Sequence, residues 1–168
     1  MIIDAETIQT SQTHACIRKI DMVSWNGHFQ FYDVAPCVPF SDLEAKWRKV
    51  FNWCQKRIHG IKHYFPRAPF VHCNNIDSLV KHFIVTGDID IVLFKGGIWE
   101  KQICINIRTR YLDLTNICKV LHIPKPESHD PRTENMHYIF HLQKHNVVRY
   151  RATSPIPRSN NYILRKTK

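Results

Sequence analysis

The chain has 168 residues, 43% of them hydrophobic, and a net charge of +10. These values exclude a disordered or fibrous chain, and no apolar run approaches the roughly 20 residues that cross a bilayer. They leave one soluble domain with a core of its own, and the excess of Lys and Arg points first to nucleic acid as a polyanionic partner.

The opening "MIIDAETIQ" reads as a strand and not as a signal peptide, because no basic segment precedes a long apolar one. "ACIRKIDMVSW" alternates Ile17, Ile20 and Met22 with Arg18, Lys19 and Asp21, the period of a second strand. Asn26-Gly27 and "HFQFYDV" follow, so the first three strands are predicted to form a meander turned by Asn-Gly. "PFSDLEAKWRKVFNWCQKRIHG" has helical spacing at Leu43, Trp47, Val50, Phe51 and Cys54. Ser41 or Asp42 is its expected cap, Ser41 and Glu44 have capping-box spacing, and Gly60 is the expected stop. A second helix is predicted from Asn75 or Asp77 to near Thr86. "DIDIVLFKGG" reads as a short buried strand ending in glycines. "IWEKQICINIRTR", "LDLTNICKVLHIP" and "PRTENMHYIFHLQKH" read as three more helices.

Six cysteines at 16, 37, 54, 73, 104 and 118 form no C-x-x-C pair and lie partly in apolar stretches. They are expected to be free thiols of a reducing compartment, so the chain is placed inside the cell, in cytoplasm or nucleus. The folded domain is expected over 1–145. Residues 146–168 hold six Lys or Arg, all within "VVRYRATSPIPRSNNYILRKTK", and read as a basic, partly flexible tail suited to phosphates.

Three places combine acids with suggestive surroundings. Asp4 and Glu6 stand two apart on the first strand and so share a face, where magnesium or manganese would relieve their repulsion. Glu100 lies in the first turn of the helix that follows "FKGG", at the strand ends where open α/β sheets place their sites. His129 precedes Glu134 by five residues, and a loop histidine beside activated water can serve as a general base. Taken singly, each has a plainer role: a solvated strand face, a helix-dipole acid, a surface histidine. Zinc is a weaker option. His137, His141 and His145 recur every four residues, with His72, Cys73 and Cys118 elsewhere, but no C-x-x-C or H-E-x-x-H occurs.

In this order the motifs resemble those of the DEDD superfamily of 3′–5′ exonucleases, in its histidine subclass. "DAET" matches the family's Asp-x-Glu with its following Thr. "KGGIWE" has the length of the second motif, His-Asn-x-x-Phe-Asp, with Lys95-Gly96 for His-Asn and Glu100 for Asp. "HDPRTE" matches the third, His and an acid five residues on. "RIHGI" and "YLDLTNICKVLHIP" are softer echoes, and the resemblance spans roughly residues 1–145.

The resemblance implies a ribonuclease-H-like α/β fold: a mixed central sheet, the meander followed by parallel strands, flanked by helices. It implies two Mg2+ or Mn2+ ions held by Asp4, Glu6, Glu100 and Glu134, with His129 as general base, acting on single-stranded DNA or RNA. Thr7, Ile8, Lys95 and Trp99 fall on the substrate side, Trp99 as a stacking platform. Two Asp-to-Glu changes each add a C–C bond of about 1.5 Å, and a misplacement of ~1 Å can cost ~100-fold in rate. The alternative is therefore a weak or inactive domain of the same fold that binds nucleic acid.

Overall fold

A computed structural model describes residues 1–59, 71–127 and 131–147. The expected stop at Gly60, the candidate base His129 and all but the first two residues of the tail lie outside the described residues.

The chain forms an α/β fold around one mixed five-stranded sheet. Its strands are β1 (Ile2–Gln9), β2 (Ala15–Val23), β3 (Phe29–Asp33), β4 (Val92–Phe94) and β5 (Tyr111–Asp113), and its helices α1 (Ala45–Cys54), α2 (Ile76–Thr86), α3 (Ile98–Asn106), α4 (Leu114–Val120) and α5 (Pro131–Lys144). The strands lie in the order β3-β2-β1-β4-β5. The antiparallel meander is present, with Gly27 at φ +82° in its turn. The pairings of β4 with β1 and β5 are parallel.

Alternation along the strands sorts the core into two layers. Met1, Ile3, Ile20, Met22, Val92 and Phe94 pack with Val80 and Phe83 of α2 and Ile103 of α3. Ile2, Val23 and Leu93 pack with Leu114 and Ile117 of α4 and Tyr138, Ile139 and Leu142 of α5. Helix α1 stands apart, with Phe51 and Phe40 against Ile8. Among the described residues no helix is long and apolar enough to cross a membrane.

Three expectations are corrected. The capping box does not form: residues Phe40–Asp42 make a 3₁₀ turn, Leu43 is extended, and α1 starts at Ala45 with Glu44 at its cap position. Strand β5 lies where the sequence suggested the start of a helix. It has only three residues, and its pairing with β4 stabilises it more than any local pattern does. Finally, Cys16 and Cys37 form a disulfide (Cα–Cα 6.2 Å), while Cys54, Cys73, Cys104 and Cys118 are free. The 21-residue spacing hid a contact that exists only once β3 has turned back along β2. The inference of a reducing compartment loses the support it took from six free thiols.

Candidate functional site

The site forms where β4 ends. β4 pairs with β1 only at Ile2 and Ile3, so beyond Ile3 that edge of β1 has no strand beside it among the described residues. The side chain of Glu100, from the first turn of α3, takes the vacant place: its Oε1 accepts from the Ala5 N–H at 3.2 Å. Gly97 makes this possible. A Cβ at that position would lie 2.6 Å from Glu100 Cδ and 2.7 Å from Oε1, so only glycine leaves room for the folded-back carboxylate.

Asp4 shares the face of Ile2 on β1, the side covered by α5. Lys95, just past β4, reaches the same spot. Its Nζ donates to Asp4 Oδ2 at 2.7 Å and lies 2.7 Å from Glu134 Oε2 in the first turn of α5. The root of this lysine is fixed by its neighbours. Thr115 Oγ1 donates to the Lys95 carbonyl at 3.4 Å, and Gly96 adopts φ +90° tight against Thr115, where a Cβ would come within 2.6 Å of Oγ1. Asp113 in turn caps α4, accepting from the Thr115 N–H at 2.8 Å and the Asn116 N–H at 3.4 Å.

Asp4 and Glu100 are only 5% and 4% exposed. Burial pushes both carboxyls above the ordinary carboxylate range. Lys95 works against the shift at both, while Glu6 and Glu134 add to it at Asp4 and Asp4 adds to it at Glu100. Burial also works against the charge of Lys95, but the attraction of Asp4 and Glu134 outweighs it and raises the lysine. The two directions have different causes: loss of water raises the carboxyls, with the neighbouring acids adding to it, whereas the two acid partners raise the single ammonium.

The sequence-predicted residues thus fall into groups. Asp4, Glu100, Glu134 and Lys95 converge, drawn from β1, α3, α5 and the end of β4, and Glu6 lies within electrostatic reach of Asp4. Thr7 follows the register shift after Glu6, where β2 carries the extra residue Arg18, and Ile8 turns its side chain into the small core of α1. Trp99 is half-buried in the first turn of α3. Lys95 meets acids here, where the resemblance had put it on the substrate side.

Sequence reasoning missed three features. Asp21 sits directly across from Asp4 in the β1–β2 pairing and is 1% exposed; in the sequence it served only to mark the alternation of a strand. Gly97 is the cradle for Glu100, and the doubled glycine after Lys95 was its only signal. A groove of about 620 Å3 opens beside the acids between α4 and α5, bordered by Lys95, Lys119, His122, Lys125, Glu134 and Tyr138. Its bases come from α4 and the turn after it, a stretch that reads simply as a helix.

No protein-family model matches the chain, and no curated protein does.

Among the described residues no group of three or more His, Cys, Asp or Glu side chains is spaced to hold a metal ion. At the acids, the Lys95 ammonium stands between Asp4 and Glu134. The donor chemistry itself fits magnesium or manganese: it is all oxygen, and burial disfavours the charged carboxylates, which a bound cation would stabilise. The zinc option fares worse. His137 and His141 have ring centres 4.5 Å apart with the rings tilted by 49°, but His137 Nε2 donates to the Pro124 carbonyl at 2.9 Å.

Proposed function

We propose that the chain is a metal-dependent 3′–5′ exonuclease on single-stranded DNA or RNA, built on a ribonuclease-H-like fold. One observation carries this: Asp4, Glu100 and Glu134 come from three separate elements to one buried place in a chain of net charge +10. Gathering like charges in a dry site is costly, and the cost is offset when the site grips cations. The strand order β3-β2-β1-β4-β5, with β2 alone antiparallel to both its neighbours, supports the fold assignment.

Asp4, Glu6, Glu100 and Glu134 would hold two Mg2+ or Mn2+ ions, which when bound polarise a phosphoryl oxygen and make water a nucleophile at neutral pH. The chain's own residues bind and orient the strand. Lys119 and Lys125 offer cationic contacts, and His122 a hydrogen-bonding one, for phosphates in the groove next to the acids. The backbone at Thr7 and Ile8 approaches the terminal nucleotide, and Trp99 offers a face for a base. His129, in keeping with the resemblance, takes the proton of the attacking water. Such an enzyme would act inside the cell, in cytoplasm or nucleus.

A second reading is favoured by one specific contact. With Lys95 2.7 Å from both Asp4 and Glu134, part of the cluster is already neutralised, as in a domain that binds nucleic acid without cutting it. A 5′-labelled single strand, incubated with wild type and Asp4→Asn in Mg2+, in Mn2+ and in EDTA, separates the two. Stepwise shortening by wild type alone, abolished by EDTA, supports the enzyme. Salt-sensitive binding with no shortening in either metal supports the binding domain, and equal shortening by both proteins overturns the assignment of Asp4.

A further inference from the structure

The Lys95 ammonium is equidistant from Asp4 Oδ2 and Glu134 Oε2, at 2.7 Å from each. The three side chains are 18%, 6% and 14% exposed, so little water screens the contact. This lysine is not a surface arm that happens to bend inward. Gly96 in the left-handed region and the Thr115 hydroxyl on its carbonyl set the direction in which it leaves the sheet. A cation there holds together two elements, β1 and α5, whose carboxylates would otherwise repel each other.

We propose that Lys95 is a built-in counter-ion, which keeps the Asp4–Glu134 pair assembled when no divalent ion is bound and competes with such an ion for it. The inference rests on the metal-dependent reading above, but it concerns ion binding and not cleavage. Two cations cannot share one point between two carboxylates, so a divalent ion must displace the ammonium. The way out is present: Lys95 also borders the groove of about 620 Å3, with Lys119 and Lys125 on its rim. There the displaced ammonium would meet the phosphates of a bound strand, so strand binding and ion loading favour each other.

The test is Mn2+ binding, followed by electron paramagnetic resonance and by calorimetry, on wild type, Lys95→Met and Lys95→Arg without nucleic acid. Lys95→Met removes the competitor and keeps the apolar stem. It is expected to bind Mn2+ about tenfold or more tighter than wild type, tenfold corresponding to about 1.4 kcal/mol. Lys95→Arg retains a cation and is expected to stay within about threefold of wild type, under half of that free energy. In EDTA, Lys95→Met is expected to melt below wild type, and Mn2+ should raise its melting temperature more than it raises that of wild type. Equal Mn2+ affinity in wild type and Lys95→Met, or no Mn2+ binding by either, overturns the proposal. If Lys95→Met does not fold, Lys95→Gln takes its place with the same expected result. The outcomes stay separate from those for cleavage: tighter Mn2+ binding by a protein that never shortens a strand would uphold the counter-ion and sink the nuclease.

Discussion

Replacing Gly97 by alanine tests how Glu100 is held. The new Cβ would stand 2.6 Å from Glu100 Cδ, whereas carbon–carbon contacts settle at roughly 3.5–4.0 Å. The backbone at 97, φ −78° and ψ 147°, suits alanine, so the flexible carboxylate gives way. It then releases the Ala5 N–H, which it accepts at 3.2 Å. A hydrogen bond to a charged acceptor is worth about 1.5–3 kcal/mol, and a Gly-to-Ala change at a compatible position returns about 0.4–1 kcal/mol through the unfolded chain. The difference, about 0.5–2.6 kcal/mol, should lower Tm by roughly 1–10 °C for a chain of this size. Exchange of the Ala5 amide, read by NMR, should quicken about 10–150-fold, since each 1.36 kcal/mol is tenfold. Adding Glu100→Ala to Gly97→Ala should deprotect Ala5 no further, because both changes remove the same bond. Unchanged Ala5 exchange in Gly97→Ala would refute the reasoning.

Three further outcomes are expected. Burial raises the Glu100 carboxyl, so the folded chain binds that proton more tightly than the unfolded chain does. The stability of wild type relative to Glu100→Gln should therefore fall as pH rises through the ordinary carboxylate range to the raised folded value, then level off. Melting curves of both proteins from pH 4 to 8 check this, and a flat difference would contradict it. Asp113→Ala removes the cap of α4 and should cost about 1 kcal/mol, or roughly 2–4 °C in Tm; Asp113→Asn should recover most of it. Iodoacetamide at pH 8, followed by mass spectrometry of the unreduced protein, should label Cys54 and Cys73. It should spare Cys104 and Cys118, whose thiols burial pushes up to about 12 and about 11, because the thiolate is the nucleophile. Cys16 and Cys37 should label only after reduction.

Local chemistry was enough to read part of this molecule from its sequence. The meander around Asn26-Gly27, the helix from Asn75 to Thr86 and the short strand before the glycines all follow from periodicity and turn residues, which act over a few positions. Asp4 was legible as a candidate because it shares a strand face with Glu6, and Glu100 and Glu134 because each stands in the first turn of a helix. What joins them was not legible. The sequence contains Lys95, but only the parallel pairing of β4 with β1 brings its ammonium between Asp4 and Glu134. It contains Gly97, but only the end of the β1–β4 pairing at Ile3 makes that glycine the place where Glu100 folds back onto Ala5. Strand β5, the buried Asp21 and the Cys16–Cys37 disulfide share this origin. Each depends on a neighbour distant along the chain, and pairing over such distances is decided by the packing of the whole sheet and not by the residues at either end.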